Sequence, residues 1–175
     1  MNNRQVKVLF RFALIIFLQV LLLRLNLHNY VNPYIYPLFL IMLPFETPHW
    51  LTVFSGFVLG LTIDMFTNTM GFHACVSLLA GYIRPFILRL QAPAGGYDDE
   101  IQPGIRDMGF AWFITHASII ILVHHAALFA LEMLGIGNFF YFLGKTLFSS
   151  MVSLSLITIY AYFSAARTAG GKYGG

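Results

Sequence analysis

Charge is what this chain has least of. Only 10% of its 175 residues are charged, against 58% hydrophobic residues and a mean hydropathy of +0.75, too little polar side chain to clothe a soluble globule of this size. The ten basic residues stand singly in apolar sequence and form no patch of the kind that binds nucleic acid. Cysteine is nearly absent. Cys75 alone excludes an internal disulfide and a CxxC metal site, and inside an apolar run it reads as a small packed hydrophobe. Also missing are GxSxG, a Walker loop, HExxH and paired carboxylates on one face. Enzymatic chemistry therefore has little support, and neither a metal nor a cofactor is expected.

What the chain has in abundance is long apolar runs, which predict an all-α integral membrane protein. The first, Val8 to Leu25, follows Arg4 and Lys7 and closes on Arg24 with no small-residue cleavage site, so it reads as a retained helix and not a signal peptide. Further runs cover Trp50 to Phe66, Thr69 to Leu88, Gly109 to Leu134 and Phe139 to Ser164. Between Pro33 and Pro44 lies a shorter stretch interrupted by Pro37. As a helix it would reach roughly 18 Å, short of a ~30 Å hydrocarbon core, so it is either a short, broken crossing or a re-entrant hairpin. Counting it as a crossing puts Arg4, Lys7, Arg84, Arg89, Arg106, Arg167 and Lys172 on one side, as the positive-inside rule requires. The expectation is six spans with both termini cytoplasmic. Residues 1–7 form the cytoplasmic N-terminus, 8–164 a single transmembrane domain with a cytoplasmic loop at 89–107, and 165–175 a flexible cytoplasmic tail.

Polar residues inside these runs are the candidate site. Thr52, Gly56, Gly60 and Asp64 recur every four residues and form one narrow helical stripe, low in bulk and ending in a charge. Such a stripe admits a second helix at close range, and a carboxylate at its end needs a partner. Lys145 opens a stripe with Ser149, Ser153 and Tyr160 on the last helix, the natural surface to receive it. Asp64 is expected to pair with Lys145 or Arg24, with Glu132 on the same side; the alternative is that each charge sits among hydrated headgroups. Ser118, His125 and Glu132 share a face of the fifth run with His116 and His124 beside it, while His73, Ser77 and Arg84 line the fourth. Both read as polar seams, since the histidines lack metal-ligand spacing.

The stretch SGFVLGLTIDMFTNTMGFHACVSLLAGYIRPF resembles the core of the rod shape-determining MreD family, whose members share a GxxxGxxxD helix followed by a turn, a glycine and another apolar helix. Those positions are Gly56, Gly60, Asp64 and Gly71 here. The resemblance implies a six-helix bundle similar to the substrate-binding subunits of vitamin transporters, located in the bacterial cytoplasmic membrane and serving cell elongation without catalysis. It also implies MreC as a partner and, through the complex, MreB and the peptidoglycan glycosyltransferase and transpeptidase. The alternative reading is a transporter subunit that binds a small ligand near Asp64, Glu132 and Lys145.

Overall fold

The computed structural model describes residues 3–23, 30–98, 101–134 and 138–170, and its regular structure is helical throughout. In chain order the helices are α1 (Asn3–Leu23), α2 (Leu38–Ile41), α3 (His49–Thr67), α4 (Phe72–Leu90), α5 (Ile105–Met108), α6 (Phe110–Glu132) and α7 (Phe139–Gly170). Stretches in four of them, Gln5–Leu23, His49–Thr67, Phe110–Glu132 and Phe139–Ala165, are long and apolar enough to cross a membrane, which makes this a multi-pass membrane protein. Helix α4 matches α3 in length but carries His73, Ser77, Arg84 and Arg89. α7 continues to Gly170, into residues expected to form a flexible tail; 171–175 and Arg24 lie outside the described residues.

The second apolar stretch is the largest departure from a six-helix bundle. Residues 31–43 are not a membrane-length helix but extended and turning chain with a single helical turn, α2, started by Pro37. Pro33 and Pro37 explain the break, because each lacks an N–H and restrains the residue before it. Even so, Tyr34 through Leu43 are buried. Irregular backbone in an apolar interior is tolerated only when its polar groups find partners.

Side chains from the surrounding helices supply them. Gln19 of α1 accepts from the N–H of Ile35 at 2.7 Å and of Tyr36 at 3.2 Å, and donates to the Pro33 carbonyl at 3.3 Å. On α7, Ser149 accepts from the Asn32 N–H at 3.0 Å and Ser153 from the Tyr34 N–H at 2.9 Å. At the far end, Arg11 of α1 donates to the Met42 carbonyl at 2.7 Å and Arg84 of α4 to the Leu43 carbonyl. Two guanidinium groups thus meet the first two carbonyls after the α2 turn, which no helical N–H continues to satisfy.

These bonds also fix direction. Rising numbers in 31–43 meet falling numbers in α1 (35 with 19, 42 with 11) but rising numbers in α4 (36 with 73, 43 with 84) and α7 (32 with 149, 34 with 153). The stretch therefore runs antiparallel to α1 and parallel to α4 and α7. Apolar packing follows the same course, with Phe12 edge-on to Phe39 at 5.1 Å and Ile15, Tyr36, Leu40, Ile41, Ile120 and Ile121 fully enclosed.

Gln19→Leu preserves bulk but leaves two N–H groups and a carbonyl without their partner. At about 1–3 kcal/mol per orphaned group, we expect a loss of several kcal/mol in unfolding from detergent. Ser155→Ala, an exposed position whose hydroxyl bonds only within its own helix, should change stability by less than about 0.5 kcal/mol.

Candidate functional site

Helices α3 and α4 form a hairpin whose axis is set by glycine. A Cβ on Gly56 would strike the Ser77 carbonyl, one on Gly60 the His73 carbonyl and the Ala74 Cα, and one on Gly81 the Thr52 carbonyl at 2.8 Å. The pairs 52 with 81, 56 with 77 and 60 with 73 step four residues forward on one helix and four back on the other. A bare contact therefore recurs once per turn of an antiparallel pair. The surface that receives the Gly56/Gly60 stripe is thus α4 and not the last helix, because the short turn at 68–71 leaves α4 beside α3.

Asp64 closes this hairpin. It is 4% exposed, and among the described residues its partners do not include Lys145; Arg24, the other expected partner, lies outside them. Oδ1 accepts from the His73 N–H at 3.1 Å and from the Thr69 hydroxyl, and Oδ2 accepts from the Ala74 N–H at 2.8 Å. These N–H groups belong to the first turn of α4, where helical bonding leaves donors free and the dipole favours a negative charge. Gly71, at the start of α4, has no side chain to cap them, so the carboxylate comes from the preceding helix. Gly71 (φ 86°) and Asn68 (φ 56°) both take left-handed backbone, a conformation that glycine and asparagine accept most readily.

Lys145 bonds Glu132 instead, at 2.8 Å, with its ammonium 4.6 Å from the Phe129 ring centre. This pair ties α6 to α7. Asp64 thus belongs to the joint of α3 with α4, and Lys145 and Glu132 to that of α6 with α7. Ser149 and Ser153, expected to meet the glycine stripe, hold the 31–43 stretch.

A denser polar cluster lies at the centre, where His73, His124 and His125, which the sequence places in polar seams, meet Tyr34 and Tyr36, which the sequence does not single out. The Tyr36 hydroxyl stands 2.9 Å from His73 Nδ1 and 2.5 Å from His124 Nε2. With one proton it donates to one ring and accepts from the other. His124 Nδ1 is buried and bonds nothing, so a proton there would be orphaned, whereas a bare lone pair costs less. The network thus assigns the order His124 Nε2–H to Tyr36 O–H to His73 Nδ1. A second chain runs beside it. The Tyr34 N–H meets Ser153 Oγ, Ser153 bonds His125 Nε2 at 3.2 Å, and His125 Nδ1 bonds the Ile121 carbonyl at 2.9 Å. The Tyr34 ring packs against His73, His124 and His125 at 5.1, 6.4 and 5.7 Å between centres.

His116 and His124 accordingly lie on the buried face of α6 with His125, rather than beside it, while Ser118 is only half-buried. The inward face is wider than a seven-residue repeat suggests. Among the described residues no group of three His, Cys, Asp or Glu side chains could hold a metal ion. Cys75, expected to be packed, is exposed, because Ala74, Val76 and Ser77 occupy the buried face of α4.

Gly60→Leu should destabilise the hairpin by about 3 kcal/mol through overpacking, and Gly71→Ala by roughly 1–2 kcal/mol through backbone strain, both read by unfolding in detergent. The paired exchange Glu132→Lys with Lys145→Glu should retain stability, whereas Asp64→Lys with Lys145→Asp should not. Rescue by the second exchange would show that Asp64 acts as an ion-pair partner.

No family model, curated protein or solved structure matches this chain.

Proposed function

We propose that the chain is a non-enzymatic component of the bacterial cell-elongation complex, a rod shape-determining protein of the MreD type that docks MreC. Through MreC it would engage MreB and the peptidoglycan-synthesising glycosyltransferase and transpeptidase. In this reading the 31–43 stretch is an irregular sixth pass through the cytoplasmic membrane, and both termini lie on the cytoplasmic side with Lys7, Arg89 and Arg106.

The observation that carries the proposal is the division of labour on α3. Its small face, Gly56, Gly60 and Asp64, the positions that carry the GxxxGxxxD resemblance, is consumed in joining α4. Its opposite face is a ridge of large apolar side chains: Trp50, Phe54, Phe57, Leu61 and Met65 are 70, 56, 40, 44 and 81% exposed. The ridge follows helical spacing of three and four residues. A hairpin that presents a row of half-exposed to exposed aromatic side chains is suited to docking another membrane protein, since aromatic anchors dominate such interfaces. The transporter reading needs Asp64, Glu132 and Lys145 around one pocket, and each is engaged elsewhere.

Depletion in the native rod-shaped cell should produce rounding, and unchanged rods would remove the proposal. The triple change Trp50→Ala, Phe54→Ala and Phe57→Ala should leave the protein folded yet weaken co-purification with MreC at least about tenfold, the scale of losing a few aromatic anchors.

A further inference from the structure

At the end of α4 that leads into the linker, three buried nitrogen atoms have no hydrogen-bond partner: Arg84 Nε, Trp112 Nε1 and His116 Nε2. Arg84 is 1% exposed, and its guanidinium meets the Leu43 carbonyl through Nη2. No described carboxylate forms an ion pair with it. With no opposing charge paired to it among the described residues, a guanidinium buried in an apolar bundle is unfavourable, and buried donors are nearly always bonded.

The three belong to one cluster. Trp112 and His116 stack with ring centres 4.9 Å apart, and His116 Nδ1 bonds Gln91 Oε1 at 2.8 Å. Arg84, Leu88 and Gln91 follow one another along one face of α4. The Tyr97 hydroxyl donates to the Leu88 carbonyl at 2.9 Å and lies near the Trp112 N–H without bonding it in proper geometry. Tyr97 also stacks on Phe45 at 4.0 Å and sits edge-on to Trp112 at 6.0 Å. Arg84 is close enough to both His116 and Tyr97 to act on them electrostatically. Burial raises the Tyr97 phenol above its usual pKa, so it remains a neutral donor. Half-exposed on the linker, Tyr97 forms with Phe45 a cover over the cluster.

Water could satisfy the donors but would bring no charge, whereas an anion does both. The N–H groups of Arg84 and Trp112 come from different helices, an arrangement that suits an acceptor with oxygens on several sides. Turning the Gln91 amide, whose oxygen and nitrogen the hydrogen bond does not distinguish, moves the His116 proton to Nε2 and adds a third donor. Basic pockets between helix ends at the membrane boundary are where lipid phosphates bind.

We propose that Arg84, Trp112 and His116 form an anion site beneath Tyr97 that takes a phosphate group, from a phospholipid headgroup or from soluble phosphate. Trp112 reports on it directly, since the only other tryptophan, Trp50, is exposed and can be changed to Phe. With the full chain carrying Trp50→Phe, inorganic phosphate is titrated in detergent at constant ionic strength against chloride. The same protein is compared in phosphatidylcholine vesicles with and without phosphatidylglycerol.

A saturable change in Trp112 emission, with a rise in melting temperature, is expected from at least one probe. A response to phosphate identifies the soluble source, a response confined to phosphatidylglycerol the lipid source, and a response to both the shared group. Arg84→Gln should raise the half-saturation point at least tenfold. If that variant does not fold, Trp112→Phe, which keeps a ring and removes the N–H, must show a smaller phosphate- or phosphatidylglycerol-induced melting shift. Absence of a saturable response to both probes, or responses unchanged by the variant that folds, would overturn the proposal and leave a water-filled cluster.

Discussion

The bundle depends on satisfying the backbone of residues 31–43 inside an apolar core. In a soluble protein a prolyl-broken stretch of this kind would find water at the surface. Here it runs between α1, α4 and α7, and its N–H and carbonyl groups bond Gln19, Ser149, Ser153, Arg11 and Arg84. Each surrounding helix is thereby held at a defined height along the stretch, since moving α1 or α7 by one turn would orphan several groups together. Core histidines extend the same system, with Ser153 and Tyr36 linking the stretch to α4 and α6 through His73, His124 and His125.

Much the same economy governs the hairpin of α3 and α4. Glycine brings the two backbones together, and Asp64 completes the N-terminus of α4 that the glycine turn leaves uncapped. Intramembrane carboxylates invite a functional reading because an isolated charge there is costly. Asp64 shows an architectural solution, in which two backbone N–H groups and a hydroxyl offset that cost, with no opposite charge paired to it among the described residues. The outer face of α3 is left with large, partly exposed apolar side chains, consistent with docking as the proposed function.

Long apolar runs made the helical class and most helix positions legible in the sequence, as did the close-packed Gly56/Gly60 stripe. Its receiving surface was not legible, because the choice between α4 and α7 depends on chain connectivity at 68–71 more than on side-chain pattern. The partner of Asp64 escaped for a related reason: matching opposite charges overlooks backbone N–H groups, which carry no residue identity. Gln19 had a visible signal, a lone amide in the run LIIFLQVLLL, that went unused because its partners sit on a stretch without helical periodicity. Arg84 was read both as a marker of membrane sidedness and, with His73 and Ser77, as part of a polar seam in the fourth run; what the fold adds is its acceptor, the Leu43 carbonyl, which lies on a stretch without helical periodicity.

Amide hydrogen exchange across residues 31–43, in the folded protein in a bilayer disc, tests the account most directly. Held by side chains of α1 and α7, the N–H groups of Asn32, Tyr34, Ile35 and Tyr36 should exchange as slowly as the middle of α6, although they form no helix. Exchange within seconds, at the rate of an open loop, would contradict the claim that this stretch organises the bundle.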